Sequence, residues 1–465
     1  MKRLFYIVID LLITYGSIFL AFYILANINM LEDFQRNFEA FVIITPFIGL
    51  LYFVLMYAFG LYSITRKELG EVIYTVFLIS LCLMVGIMGI CFFVRNIAFA
   101  FPRSVILLGA LFYFVFLTIW RISVWVMERK AHGIKTITII GDDTEKLRTA
   151  IIRKYSNLYH IVNLCKEDDP YLSTKIRSVD EIFIGSDVSS QTRNKILPIC
   201  IKYEKNVCFV PEYFDLSIMA SSFRKTDDIP TYSLSNMSLS PEENFVKRTI
   251  DLIFGMVAFI VALPIGLIVS ILIKLDGGPV FYAQERLTEG GRKFKILKFR
   301  TMIPNAEKIS GPILAGENDP RITKIGRFIR AIRLDEIPQI INILRGDMSI
   351  VGPRPERSFF VAQFEKDIPE YHYRLKVKAG LTGLAQIEGK YNTSVEDKLR
   401  YDLIYINNYS ILKDMLIMLQ TIKILFMKES TEGVVSNEIA LSSQKEKTTQ
   451  PLWEKHAMPR SVKVR

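Results

Sequence analysis

Four long apolar runs open this sequence, near Leu4–Ala26, Phe41–Leu61, Val72–Val94 and Val105–Met127. Each is about long enough to cross a bilayer core, which takes ~20 residues. The competing explanation is four buried helices of a soluble protein, but 51% hydrophobic residues overall favour the membrane. The first run is too long for a signal peptide, and no small-residue cleavage site follows it. Basic residues orient the bundle: Lys2 and Arg3 precede the first run, Arg66 and Lys67 separate the second and third, and Arg121, Arg129, Lys130 and Lys135 end or follow the fourth. The loop Asn27–Ala40 carries Glu32, Asp33 and Glu39 against a single Arg36. Both ends of the bundle, residues 1–130, are therefore expected on the cytoplasmic side.

Charged residues make up 23% of the 465, so large parts of the chain sit in water, and the length suggests about three domains. A net charge of +11 suits nucleic acid, an anionic membrane face or a phosphate-rich substrate. Four membrane spans argue against nucleic acid. The five cysteines, Cys82, Cys91, Cys165, Cys200 and Cys208, are scattered with no CxxC pair, and the four histidines lie far apart. That pattern speaks against a disulfide framework or a zinc site.

From Lys135 the texture changes. Thr136–Ile140, Glu181–Ile184 and Asn206–Val210 read as short buried strands, with helical stretches Thr144–Tyr155 and Ser190–Tyr203 between them. This alternation predicts a small parallel α/β domain over residues 135–238. A dinucleotide fold needs a glycine-rich first turn to admit a pyrophosphate at the helix N-terminus. Here that turn is Ile140-Gly141-Asp142-Asp143, with one glycine and an acidic pair where the phosphate belongs. A degenerate, Rossmann-like regulatory or scaffolding domain is the expectation, without bound NAD.

A further apolar stretch, Thr249–Ile273, has Asp251 near its start and Pro264 near its middle. Proline removes a backbone hydrogen bond and clashes with the carbonyl four residues earlier, so a break or sharp kink is expected. Lys247 and Arg248 precede the stretch, and Lys274, Arg286, Arg292 and Lys293 follow it. Cations on both flanks favour a helix over 246–275 that enters, breaks at Pro264 and returns to the same face, rather than a fifth span. Residues 431–465 read as a flexible basic tail.

The chemistry concentrates after Phe294. The alternating run Phe294–Met302 reads as a strand with Lys298 and Arg300 on one face, a pair suited to a phosphate or diphosphate. Arg321, Lys324, Arg327, Arg330 and Arg333 then recur at every third position, with Ile325, Phe328, Ile329 and Ile332 between them. A helix so built is cationic on one side and apolar on the other, as in helices that lie on a membrane surface. It runs into Leu334-Asp335-Glu336-Ile337-Pro338-Gln339. Adjacent carboxylates among cations, with a divalent metal to complete the neutralisation, suit phosphoryl transfer, one attacking phosphorus and one holding the metal. A helix cap is the commoner meaning of an Asp-Glu pair. Gly346–Pro355 places Arg354 between two prolines, and Gly380–Gln386 is a second glycine-punctuated turn; structural turns explain both equally well.

Taken together, Lys247–Asp251, the proline-bearing helix, Lys298–Met302, Leu334–Gln339, Gly346–Pro355 and Gly380–Gln386 resemble, in order, the bacterial sugar transferase family. These are polyprenyl-phosphate phosphoglycosyl transferases with one re-entrant helix. The upstream helices and α/β domain resemble the long-form members that start O-antigen, capsule or exopolysaccharide units. The resemblance implies a catalytic domain over 241–430, mainly helical α/β, on the cytoplasmic face of the bacterial inner membrane. It also implies a two-step transfer of sugar-1-phosphate from a UDP-sugar to undecaprenyl phosphate with release of UMP. Asp335 matches the nucleophile and Glu336 the partner carboxylate that ligates Mg2+. Lys298, Arg330 and Arg354 match phosphate-binding positions; Arg300 and Arg333 join them on local charge. Pro264 matches the helix break, although Leu263 stands where some members have serine. A homodimer through the added domains is a further expectation.

Two other classes are distinguishable. A metal-dependent glycosyltransferase would release UDP instead of UMP. A nucleotide-sensing membrane protein would carry an intact glycine-rich turn at Ile140–Thr144, which this sequence lacks.

Overall fold

A computed structural model describes residues 2–28, 34–62, 67–93, 101–219, 221–234, 237–303, 319–389 and 393–425. The loop acids Glu32 and Asp33, Arg66 and the expected tail over 431–465 lie outside the described residues. The chain divides into two compact units, Met1–Glu212 and Tyr213–Arg465.

In the first unit the four apolar runs form helices α1 (Lys2–Asn27), α2 (Phe34–Ala58), α3 (Leu69–Phe93) and α4 (Arg103–His132). Their inward faces share one core that includes Phe22, Ile48, Met56, Ile79 and Leu117. Charge inside an apolar bundle must be paired. Asp10 of α1 meets Arg121 of α4, both fully buried, and also accepts from Tyr52 of α2 (2.6 Å).

The α/β portion follows as β1 (Lys135–Ile140), α5 (Thr144–Tyr155), β2 (Tyr159–Cys165), α6 (Leu172–Arg177), β3 (Glu181–Ile184), α7 (Ser190–Lys202) and β4 (Asn206–Phe209). The sheet is parallel throughout, in the order β2-β1-β3-β4. Its central strand β1 buries Ile137 and Ile139 against α5 and Ile140 on the opposite face. The first turn takes an unusual form: the Asp187 carboxylate accepts the backbone N–H groups of Asp142 and Asp143, the latter at 2.7 Å. A Cβ on Gly141 would lie 2.7 Å from Asp187 Oδ1. A side chain of the domain itself therefore sits where a dinucleotide fold receives phosphate.

The second unit begins with α8 (Tyr213–Met219) and a hairpin of β5 (Ser222–Thr226) and β6 (Ile229–Ser233). A capping box between Ser240 and Glu243 then starts α9 (Pro241–Leu275). Beyond it come an antiparallel ribbon of β7 (Phe281–Leu287) and β8 (Lys293–Phe299), and α10 (Lys324–Ala331). The remaining elements are α11 (Gln339–Arg345), β9 (Ser349–Val351), α12 (Ser358–Asp367), β10 (Gly380–Thr382), α13 (Leu384–Glu388), α14 (Val395–Asn407) and α15 (Ile411–Leu425). Leu399, Leu403 and Ile417 of α14 and α15 pack with Val351 and Tyr371 in the main core.

Among the described residues five helices, α1 to α4 and α9, are long and apolar enough to cross a membrane. Of the break or kink expected at Pro264, an interruption is what needs correction: the chain does not leave the helix there, and α9 runs as one element from Pro241 to Leu275. One missing donor costs one hydrogen bond, and the complete turns on either side carry the helix past it. Both halves of α9 attach to the same body. Lys247, Asp251 and Gly255 are buried at its start, and Val269 and Ile273 near its end. Between them Met256, Val257, Ile260, Val261, Leu263, Ile265 and Leu267 are exposed.

Candidate active site

The site is assembled by a ribbon, a strained turn and a pair of interlocked glycine turns. The ribbon supplies Lys298 near the end of β8. Asn342 of α11 fixes that strand, accepting from the Leu297 amide and donating to the Lys295 carbonyl, both at 2.9 Å. Arg300, expected beside Lys298, points elsewhere. The strand ends at Phe299, and the buried Arg300 guanidinium reaches the carbonyls of Ile273 and Gly277 at the end of α9.

The expected basic helix is shorter than its charge pattern, running from Lys324 to Ala331. Gly326 lets it approach the chain closely, since a Cβ there would lie 2.0 Å from the Thr301 carbonyl oxygen. Ile329 is buried and Ile325 half-buried, while Phe328 and Ile332 are exposed. The helix stops before Arg333, which adopts a left-handed backbone with φ 59°. That conformation is costly for a side chain such as arginine and persists only where its surroundings impose it. It breaks the helical register, so Asp335 and Glu336 fall in a separate 3-10 turn, Leu334–Glu336.

Glu336 is the centre of the charge network. Its Oε1 accepts from Lys298 Nζ and from Arg354 Nη2, each at 2.9 Å. Burial favours a neutral Glu336, yet the charges of Arg354 and Lys298 outweigh it and hold the carboxyl well below the usual range. The same contact raises the Arg354 guanidinium above its ordinary value. Asp335 differs. No side-chain hydrogen bond to its carboxylate occurs among the described residues, and burial, followed by the charge of Glu336, raises its pKa. Lys298, Arg330 and Arg354 oppose that rise. The two neighbours are thus pushed apart, one carboxylate pinned and strongly acidic, the other open and more basic. Arg330 acts on Asp335 through its charge and also faces Asp319.

Arg354 reaches Glu336 from the turn after β9. That turn locks against the second glycine turn by parallel pairing of β9 with β10, Gly380 opposite Ser349. Gly352 N–H donates to the Thr382 carbonyl (2.8 Å), and Gly380 N–H to the Pro353 carbonyl (2.9 Å). A Cβ on Gly380 would stand 2.1 Å from the Gly352 nitrogen, so glycine is needed for this approach. Sequence reasoning left both turns open; each proves to be the mould of the other.

The residues that support this arrangement were not singled out from sequence as site residues. Asp251 of α9 accepts from Ser349 Oγ (3.0 Å) and the Ile350 amide (2.9 Å), fixing β9. Arg248 caps α11 through the carbonyls of Ile343 (2.6 Å) and Leu344 (2.7 Å). Lys247 is buried against Asp414 of α15 (2.5 Å) and Tyr405 (3.2 Å). Polar residues inside apolar helical runs, as with Asn342 in Gln339–Arg345, were the available signal.

A family model described as bacterial sugar transferase matches residues 242–428, which hold every group named above. A relative from Bacillus subtilis (strain 168) is 48% identical over 131 residues, covering 28% of this chain and 73% of its own length. The chain belongs to the bacterial sugar transferase family. Other relatives match over a smaller share of their length. The UDP-N-acetylgalactosamine-undecaprenyl-phosphate N-acetylgalactosaminephosphotransferase of Aeromonas hydrophila is 40% identical over 203 residues, 43% of this chain and 48% of the relative. The UDP-glucose:undecaprenyl-phosphate glucose-1-phosphate transferase of Klebsiella pneumoniae is 34% identical over 277 residues, 58% of this chain and 57% of the relative. The chain thus spans about half the length of these two sugar transferases. Among the described residues, four helices long and apolar enough to cross a membrane precede the matched region, and a fifth, α9, lies almost wholly within it.

Proposed function

We propose that this membrane protein transfers a sugar-1-phosphate from a UDP-sugar to undecaprenyl phosphate, releasing UMP and starting a lipid-linked glycan. The carrying observation is the divided carboxylate pair: Glu336 held by Lys298 and Arg354, Asp335 left without a side-chain partner among the described residues. In the first step an Asp335 carboxylate oxygen attacks the sugar-bearing phosphorus. The bond from that phosphorus to the bridging oxygen breaks, and the electron pair leaves on UMP. In the second step a phosphate oxygen of the lipid attacks the same phosphorus and the Asp335 carboxylate departs. A carboxylate with a raised pKa is the better nucleophile of the two. Lys298, Arg330 and Arg354 offset charge on the phosphates. Arg333 shapes the turn that presents Asp335, and Arg300 supports the end of α9.

The donor set suits Mg2+, which is commonly held by one or two carboxylates together with substrate phosphates. Asp335 and Glu336 are such a set, and no group of three or more metal-ligating His, Cys, Asp or Glu residues occurs among the described residues. Glu336 would be the principal ligand. The ion, when bound, would supply charge neutralisation at the diphosphate.

In this reading α9 bends at Pro264 within the membrane, so that it re-enters and both its ends stay on the cytoplasmic face. Support comes from its two buried ends on one body and the exposed apolar residues around Pro264 between them. Exposed Phe328 of α10 and Ile332 just beyond its end would rest on the headgroups. A cysteine introduced after Lys274 is expected to react only with cytoplasmic reagent; periplasmic labelling would replace re-entry with a true span. The sheet of the first unit, read as Rossmann-like, would serve as a scaffold, since Asp187 occupies its anion position. A homodimer through the added domains completes the proposal.

The nucleotide product tests the activity. Membranes carrying the chain, given a panel of UDP-sugars and undecaprenyl phosphate, are expected to release UMP. Release of UDP would assign glycosyl transfer without phosphate and overturn this reading.

A further inference from the structure

One buried ion pair of the second unit has no part in the chemistry above. Arg374, in the 3-10 turn Pro369–Lys376, and Asp402 of α14 are paired at 2.9 Å, with 7% and 4% of their side chains exposed. Charges so buried contribute little net stability, because desolvation cancels much of their attraction. What the pair supplies is geometry. Arg374 is a planar fork with three engagements: Nη2 to Asp402 Oδ2, Nη2 to the Arg354 carbonyl at 2.8 Å, and Nη1 to Tyr371 OH at 2.6 Å. The next carbonyl, that of Pro355, accepts from Arg286 at 3.3 Å. Two consecutive carbonyls are therefore held by two arginines, while the Arg354 side chain extends to Glu336. The two prolines flanking Arg354 carry no N–H, so few backbone donors fix this segment.

We propose that Arg374 and Asp402 are positioning residues of the transfer site: Asp402 orients the Arg374 fork, the fork sets the Arg354 backbone, and Arg354 thereby meets Glu336 at the right height. This rests on the roles given above to Arg354 and Glu336. Neither member of the pair needs to touch substrate. Glu356 and Lys398 also act on Asp402 through their charges. Arg374, however, bonds to both Asp402 and the Arg354 carbonyl, and so links the two directly.

The test uses the full chain in membranes, with UMP release from a UDP-sugar as readout. Arg374→Lys keeps the charge but gathers its donors on one nitrogen that cannot serve all three acceptors. Asp402→Asn keeps the shape and removes the charge. Each is expected to lower kcat about 10- to 100-fold, the scale of a small misplacement at a reacting centre. KM for the UDP-sugar should stay near that of the wild type. Each variant is then combined with Arg354→Lys. Action through Arg354 predicts that the combined loss is no larger than that of Arg354→Lys alone.

Losses that multiply across the two sites would overturn the proposal, as would a folded Arg374→Lys protein with wild-type kcat. If Asp402→Asn does not fold, Arg374→Lys, which retains the ion pair, decides the matter alone. An active wild type beside unaffected variants rejects this assignment only, whereas a wild type that releases no UMP rejects the transfer reading on which it stands.

Discussion

Asp335→Asn should abolish both UMP release and lipid product, by at least about 10³-fold, in membranes supplied with a UDP-sugar and undecaprenyl phosphate. The substitution keeps the side chain's size and leaves Glu336 bonded to Lys298 and Arg354, so the turn and its charge network persist. It removes only the carboxylate electron pair that would form the bond to phosphorus. Retained turnover would take Asp335 out of the nucleophile role. The pH dependence follows from the same geometry. Burial, then the charge of Glu336, raises the Asp335 pKa, and only the ionised form can attack. The acid limb of activity should therefore lie above the ordinary aspartate value of about 3.9. Lys298 lowers that pKa through its charge. Lys298→Met should then move the limb to still higher pH, and a limb that moves lower would contradict the electrostatics.

The largest expected effect on stability lies outside the site. Lys247→Met should lower the stability of the second unit by about 3–5 kcal/mol, the usual cost of breaking a buried pair and stranding one charge. Asp414, whose side chain is 4% exposed, would keep only the Tyr405 hydroxyl at 2.8 Å. A fall in the unfolding midpoint on the order of 10 °C corresponds to such a loss. Burial raises the Asp414 pKa and Lys247 opposes the rise, so removing the lysine raises it further. The penalty should be full at neutral pH and shrink as pH falls through the carboxyl pKa of the variant. Thermal unfolding across pH checks both statements, and a penalty that does not vary with pH would mean Asp414 is not the stranded group.

Much of this architecture was legible in the residues because its signals are periodic. The four apolar runs became α1 to α4, and the strand patterns at Thr136, Glu181 and Asn206 became β1, β3 and β4. Strand β2 was not anticipated: Tyr159–Cys165 is an edge strand with His160, Val162 and Leu164 exposed in alternation, and that pattern lacks the apolar run that marked its neighbours. Charge periodicity overran the true end of α10, because the left-handed Arg333 cannot be inferred from a repeat of cations. The same limit applies to Arg300. Alternation placed it beside Lys298, but the strand ends one residue earlier and the guanidinium turns to the carbonyls that close α9.

Asp335, Glu336, Lys298 and Arg354 are spread over 57 positions of chain, and only tertiary structure brings Lys298 and Arg354 onto Glu336. Local sequence alone favoured a cap for these carboxylates, and only the surrounding cations raised the site reading. The difference lies in the partners. A capping carboxylate accepts backbone N–H groups, whereas Glu336 accepts two cations. The supporting residues were harder still, since Arg374 and Asp251 act on backbone atoms whose position depends on the glycine turns.

The most direct test of the central claim is a mass measurement on the protein itself. The full chain is incubated with a UDP-sugar and no lipid acceptor, and the peptide containing Asp335 is weighed. Attack by Asp335 predicts UMP in amounts near one per protein, together with an added sugar phosphate on that peptide, absent from Asp335→Asn and discharged by undecaprenyl phosphate. UMP formed only when the lipid is present, with the peptide mass unchanged, would contradict it and leave direct transfer between the two substrates.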